Sequence, residues 1–218
     1  TNNRMLTVYT GGKLLWLRDE EPENFARIKT FVCPKDYIRF RMTGELMIDV
    51  SDASGTGLFD TRNRVWSDAL IEIAGLDRAI FPVVVESTAL AGRVTREAAE
   101  LTGLPEGLAC YAGGGDAVIQ AVGSGLVRPG VLGVVIGTSG NVTMGLDRYE
   151  DNPNGSLQMF CGNEPGLYTG IGCTLSAGGS YRWYRDTLCE GAINESTQTG
   201  ENVYSIMEKQ AQASVPGA

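Results

Sequence analysis

Glycine is where this chain limits its own fold most tightly. Between Gly103 and Gly191 the glycines come singly, once doubled and once tripled, with short apolar runs between them. A flexible linker would not alternate with strand-like segments in this way. The pattern calls for tight turns and for backbone brought close to a ligand. Twenty-nine glycines in 218 residues is nearly twice ordinary usage, and they concentrate in this stretch.

Before Gly103 the chain reads as helices with short connections. Lys13 to Glu20 sets Leu14, Leu15 and Leu17 around Trp16. Pro34 suits a helix start and Gly44 a stop, with Tyr37, Ile38 and Phe40 between them. Phe59-Asp60 and Val65-Trp66 flank a turn at Thr61 to Arg64. Ser67 is placed to cap a helix over 68–74, and Thr95 one over 96–102 that ends at Gly103. After Gly103 the rhythm changes. Ala109 to Ala112 is strand-like, and Gly113-Gly114-Gly115-Asp116 leads into a small-residue helix over 117–126. Arg128-Pro129-Gly130 is a turn. Val131 to Ile136 is rich in β formers, Gly137-Thr138-Ser139-Gly140 follows, and Asn141 to Leu146 is the next strand. Leu157 to Cys161 and Leu167 to Ile171 form a hairpin around Glu164-Pro165-Gly166. Helices are expected over 174–188 and 201–213.

Composition removes several classes of function. No run of apolar residues approaches the ~18 that span a bilayer, and none follows Thr1 to Arg4 as a secretory signal would require. The net charge of −8, with no basic block, argues against a nucleic-acid surface while leaving room for a small anion held by backbone amides. There is no histidine, so Ser-His-Asp triads, Cys-His pairs and His-ligated zinc are excluded. A general base must come from a carboxylate, Lys, Tyr or Cys. Cys33, Cys110, Cys161, Cys173 and Cys189 are odd in number and widely spaced. They fit neither a disulfide framework nor a zinc ribbon, and a reducing cytoplasm is the simple reading. The glycosylation-type triplets at Asn141 and Asn194 carry no weight in that setting.

Two glycine clusters offer chemistry. After Gly113-Gly114-Gly115 the backbone is uncovered, and Asp116 stands at a helix N-terminus, where amides and dipole favour its ionised form. Such a carboxylate suits a base that must touch a substrate hydroxyl. The bland alternative is an ordinary strand-to-helix turn with Asp116 as its cap. Gly137-Thr138-Ser139-Gly140 offers backbone N–H groups and two hydroxyls to a phosphate; the bland alternative is a plain hairpin turn. Neither cluster is a Walker A loop or a dinucleotide fingerprint. They lie twenty-one residues apart, a spacing that allows a carboxylate and a phosphate loop to face each other across a cleft, as phosphoryl transfer requires. Asp49, Asp52 and Asp60 have the chemistry of metal ligands, but loop carboxylates so spaced are ordinarily solvated or capping. Tyr181, Trp183 and Tyr184 read as packing on a helix face, and Asp19-Glu20-Glu21 as a solvated helix end.

Taken in order, these segments resemble the FGGY carbohydrate kinases, most closely the xylulokinase branch. The matching residues are Thr10, Lys13, Leu14, Trp16, Leu17, Asp19 and Glu20, then Pro34 to Arg39, Met42 to Glu45, and Ser51 to Thr56 with Phe59, Asp60 and Trp66. Ala112 to Asp116, Gly137 to Gly140, Gly172 to Ser180 and Arg182 to Asp186 complete the series. The resemblance implies an α/β chain that is part of a two-domain actin-like, ribonuclease-H-like ATPase fold. Residues 1–128 would be the C-terminal part of the sugar-binding domain and 131–218 the beginning of the ATP-binding domain. It implies transfer of a phosphoryl group from ATP, with Mg²⁺, to a sugar hydroxyl, xylulose first and ribulose, glycerol or gluconate as neighbours. Asp116 falls on the family's base, Gly137, Thr138, Ser139 and Gly140 on its second phosphate loop, and Gly178-Gly179 close to the nucleotide cleft. No protein side chain is expected to bind a metal directly. The partners implied are a small sugar and ATP, with neither nucleic acid nor membrane, in a homodimer if the chain associates at all. Ala117 stands where the family has Asn or Gln against the sugar, so this contact is altered. The family's Asp-x-Gly-Thr phosphate loop and its glycine-rich adenosine motif are not in the sequence, as expected of an internal fragment that is inactive by itself. A non-catalytic, kinase-like binding module is the alternative.

Overall fold

The computed structural model describes residues 1–126 and 128–215. Val127, beside the 128–131 limits, and the last three residues lie outside the described set. In chain order the helices are α1 (Thr10–Glu20), α2 (Pro22–Phe25), α3 (Pro34–Thr43), α4 (Val50–Ser54), α5 (Asp68–Ile73), α6 (Arg96–Thr102), α7 (Asp116–Gly123), α8 (Gly178–Leu188), α9 (Glu190–Thr199) and α10 (Val203–Gln212). The strands are β1 (Met47–Asp49), β2 (Phe59–Asp60), β3 (Val65–Trp66), β4 (Val83–Val85), β5 (Leu90–Arg93), β6 (Ala109–Tyr111), β7 (Leu132–Ile136), β8 (Gly140–Leu146), β9 (Gln158–Cys161) and β10 (Tyr168–Thr174). The chain divides into two compact units. One comprises Thr1–Gly133 with Val142–Gly172, the other Val134–Asn141 with Cys173–Ala218.

Local signals set most boundaries in the first unit. Pro34 opens α3, where Asp36 accepts the Cys33 N–H at 3.3 Å, and Gly44 closes it at φ 77°. Ser67 and Thr95 cap α5 and α6 through the Leu70 and Ala98 amides, so both expected caps form. Strands β2 and β3 pair antiparallel, as do β9 and β10. More strand is present than the helical reading of the first hundred residues anticipates. Strand β1 pairs parallel with β4, Ile48 opposite Val84, and β5 pairs antiparallel with β6. The remaining sheet has the order β7-β8-β10-β9.

The core of this unit gathers Leu14, Ile48, Leu58, Phe59, Ile71 and Tyr168. Trp66 is its centre. Its ring meets Phe31, Phe59 and Phe81 edge-on at centroid distances of 5.8, 5.4 and 5.0 Å, the geometry that ring quadrupoles favour. Its indole N–H donates to the Pro82 carbonyl at 2.8 Å.

The second unit has a small core of Ala192, Ile206 and Met207 between α9 and α10. Helix α8 starts at Gly178, later than the expected Thr174. Thr174 ends β10, and the Thr138 carbonyl takes the Ala177 and Gly179 amides at 2.8 and 3.0 Å. That capture turns residues 175–177 out of any helix. The expected aromatic packing on α8 is partial. Tyr181 lies against Tyr204 at 5.3 Å, whereas Trp183 is 61% exposed.

Candidate functional site

Asp116 is the first residue of α7, and the N-cap is Gly115, not Asp116. The carboxylate therefore does not cap its own helix. It is exposed, and its Oδ1 accepts the adjacent Ala117 N–H at 2.7 Å. Ala117 is half-buried beside it. Val118 and Ala121 bury the opposite face of α7, and that burial keeps Asp116 turned outward.

The turn before Asp116 lies on a cluster of charges that sequence reasoning missed. Lys35 Nζ, at the start of α3, is 2.5 Å from Asp36, 2.8 Å from Asp49 and 3.1 Å from Asp52. Arg39, one turn along α3, is 2.9 Å from Asp36, donates to the Ala112 carbonyl at 2.8 Å and also binds the Met47 carbonyl. Asp36 and Asp49 are fully buried. Carboxylates survive such burial only when paired and hydrogen-bonded. Asp49 caps α4 through the Ser51 N–H at 2.7 Å and also accepts from the Ser51 and Ser87 hydroxyls. Desolvation pulls the Lys35 pKa down, and the three carboxylates more than reverse this, leaving it raised. Lys35 is a fixed cation.

Cys33, Asp36 and Asp52 also stand close enough together to suggest a metal site. The Lys35 ammonium already supplies positive charge there. Burial, with the neighbouring carboxylates adding to it, pushes the Cys33 thiol up to about 12, so the sulfur is protonated and a poor ligand. The donor set fits an ammonium rather than a divalent ion. Asp60 lies apart from this cluster and accepts the Asn63 amide at 3.0 Å in the β2–β3 turn.

A cavity of about 240 Å³ lies beside α7 within the same unit, walled by Val118, Val122, Leu126, Leu146 and Leu167. Ser87, Thr88, Asn163, Glu164 and Thr169 stand among these apolar side chains, so the lining is mixed, and Asp116 is not part of it.

In the second unit Gly137, Thr138 and Ser139 are exposed and Gly140 half-buried. Their carbonyls are engaged. The Gly137 carbonyl accepts the Gly178 N–H at 2.9 Å, and Gly137 N–H donates to the Ser139 carbonyl at 2.8 Å. A Cβ on Gly178 would stand 2.5 Å from the Gly137 oxygen, and one on Gly179 3.0 Å from the Thr138 oxygen. The glycine pair thus permits α8 to sit directly on the loop. With its acceptors occupied, the loop has hydroxyls to offer an anion, which fits a phosphate.

These features belong to an α/β chain that is part of the actin-like, ribonuclease-H-like ATPase fold. Its similarity to solved enzymes is close: xylulose kinase from Rhodospirillum rubrum superposes with a TM-score of 0.87 at 28% identity, covering 99% of this chain and 42% of that one. Residues 1–123 match the N-terminal domain of the FGGY family of carbohydrate kinases. The chain belongs to that family. It is 37% identical over 196 residues to xylulose kinase of Lactococcus lactis, covering 89% of this chain and 39% of the relative. It is 32% identical over 206 residues to an autoinducer-2 kinase of Salmonella typhimurium, covering 94% and 39% respectively. The chain thus spans about 39% of the length of these curated relatives. Among the described residues, no helix is long and apolar enough to cross a membrane.

Proposed function

We propose that this chain is part of an ATP-dependent sugar kinase with xylulose as the leading substrate and xylulose 5-phosphate as product. The observation that carries the reading is Asp116, an exposed carboxylate at the start of α7 on a glycine turn, in a member of the FGGY family. Asp116 takes the proton of the accepting hydroxyl as its oxygen bonds to the γ-phosphorus and the bond to the β–γ bridging oxygen breaks. The Thr138 and Ser139 hydroxyls and their backbone amides donate to phosphate oxygens. When bound, ATP supplies the phosphoryl group and Mg²⁺ neutralises charge on its phosphates.

On this reading residues 1–128 close the sugar-binding domain and 131–218 open the ATP-binding domain, a division by chain order that differs from the compact units, where Val142–Gly172 groups with Thr1–Gly133. The five free cysteines suit a reducing, cytoplasmic setting. Ala117 favours one further possibility, an acceptor other than xylulose, since a methyl group makes no hydrogen bond to a hydroxyl. The autoinducer-2 kinase relative enlarges that set beyond ribulose, glycerol and gluconate.

The test is Asp116→Asn in the full-length protein that carries this chain. The expected result is a fall in kcat of about 10²–10⁴ with ADP binding retained. Near-normal turnover would remove Asp116 as the base.

A further inference from the structure

Among the described residues, the Asp116 side chain accepts only the Ala117 N–H of its own helix turn, so its position is set by the backbone that delivers it. The Ala112 and Gly113 amides of that backbone donate to the Ala89 and Ser87 carbonyls at 3.0 Å each, and two side chains hold it further on. Arg39 binds the Ala112 carbonyl at 2.8 Å, and the Gly115 N–H donates to Ser51 Oγ at 2.8 Å. We propose that Ser51 is a positioning residue for Asp116, fixing the Gly115 amide through a hydroxyl that Asp49 and Lys35 orient. This rests on Asp116 being the base.

The chemistry of the hydroxyl makes the arrangement directional. Ser51 has one O–H, and it donates that hydrogen to Asp49 Oδ2 at 2.5 Å. What remains on its oxygen are lone pairs, and the group facing them is the Gly115 amide. Asp49 is held in turn by Lys35, Ser87 and the Ser51 amide, so the hydroxyl has little freedom to rotate away. Ser51 is 1% exposed, and water does not replace it easily. The glycines let the turn settle on it. A Cβ on Gly114 would lie 3.0 Å from Ser51 Oγ, and one on Gly115 2.9 Å from Asp52 Oδ1. Gly115 is the N-cap of α7 without a capping side chain of its own, so Ser51 supplies from α4 the anchor that the turn lacks.

The experiment is a double-mutant cycle in the full-length protein, assayed with ATP and xylulose, or with the best acceptor from a sugar panel. Ser51→Ala should lower kcat by about 10- to 100-fold, as small misplacements of a reacting group do. It should speed exchange of the Gly115 amide by at least about 10-fold, and leave the KM for ATP unchanged. In the Asp116→Asn background the same substitution should have no further effect, because no base remains to be positioned. Ser51→Cys, which keeps a weak donor and acceptor, should fall between. It carries the same cycle if the alanine variant does not fold. An equal loss in both backgrounds would make Ser51 merely structural and overturn the proposal, as would a normal kcat or unchanged Gly115 exchange in the single variants. Near-normal turnover of Asp116→Asn alone would instead remove the base, and Ser51's role with it. The two failures are read from different proteins.

Discussion

The Arg64 guanidinium lies as a fork on the Glu86 carboxylate, with Nε 2.7 Å from Oε1 and Nη2 2.6 Å from Oε2. The same side chain donates to the Leu167 carbonyl at 3.1 Å and the Gly162 carbonyl at 3.3 Å. It ties the β2–β3 turn, the segment after β4 and the β9–β10 hairpin together within the first unit. Arg64 also holds φ at 58°, a left-handed conformation that L residues adopt at a cost.

These two facts rank a set of variants. Arg64→Ala should lower stability by about 2–4 kcal/mol, because it leaves a partly buried carboxylate without its donors and removes the guanidinium from the Gly162 and Leu167 carbonyls, of which Leu167 keeps the Gly162 N–H at 2.8 Å. Arg64→Gly should be less damaging than the alanine by about 1 kcal/mol, since glycine tolerates the backbone angle. Arg64→Lys should not restore stability, because an ammonium cannot reproduce the fork. Urea unfolding checks the order, and a lysine variant as stable as the parent would refute it.

The proposed phosphate role of the Gly137–Gly140 loop invites a contrast between two glycines. A Cβ on Gly137 would meet nothing nearer than the Ser139 carbonyl oxygen at 3.8 Å, so Gly137→Val should fold normally. It should nevertheless weaken ADP binding by about 10-fold or more, which is about 1.4 kcal/mol, by blocking the approach of phosphate to backbone. Gly178→Ala forces a carbon against the Gly137 carbonyl. It should lower both thermal stability, by about 1–3 kcal/mol, and ADP affinity. Calorimetry and thermal unfolding separate the two; undiminished ADP binding by Gly137→Val would make the loop only a turn.

Ala117→Asn should lower the KM for xylulose by about 2- to 12-fold with kcat little changed, the worth of one neutral hydrogen bond of about 0.5–1.5 kcal/mol. If xylulose turnover stays negligible while another polyol or sugar acid is phosphorylated by the unmodified protein, the acceptor assignment is wrong and the family assignment is untouched.

Asp52 gives a pH-dependent prediction. Burial raises its pKa; Lys35 opposes that shift, and Asp49 and Asp36 add to it. A carboxylate with a raised folded pKa binds its proton more tightly when folded. Its contribution is most favourable below the unfolded value and is lost as pH rises through the folded one. At pH 7 the ionised group is therefore a net cost, so Asp52→Asn should raise Tm there. The difference should shrink as pH falls through the ordinary aspartate range and be nearly gone by about pH 3, where wild-type Asp52 is largely protonated in both states. A gain in Tm that persists at pH 3 would show that packing, not ionisation, is responsible.

Elements with local signals were legible from sequence. Ser67, Thr95, Gly44 and Gly103 mark helix ends because a cap depends on residues three or four positions away. The β9–β10 hairpin follows for the same reason. The β1–β4 pairing was not legible: three-residue strands separated by α4, β2, β3 and α5 carry no periodicity long enough to read. Helix α9 was missed because Glu190–Thr199 buries only Ala192 and shows no apolar stripe. The Gly137–Gly140 loop and the turn before Asp116 stand out as glycine patterns, but the support beneath Asp116 does not. Asp49 and Asp52 read as solvated or capping carboxylates, and Asp49 does cap α4, but only the tertiary position of Lys35 shows that they share one cation. A local clue was the Asp36–Arg39 spacing, which pairs charges on one helix face and says nothing of the strand end that Arg39 also holds.

The burial of Trp66 gives the protein a built-in optical separation. Of its three tryptophans, Trp16 and Trp183 are 55% and 61% exposed, while Trp66 is 5% exposed among three phenylalanine rings. Iodide in solution will quench the emission of the first two and spare the third. Within this chain the blue-shifted light that survives the quencher comes chiefly from one position, so a titration of these residues followed in iodide watches the first unit's interior open with little contribution from Trp183 in the second.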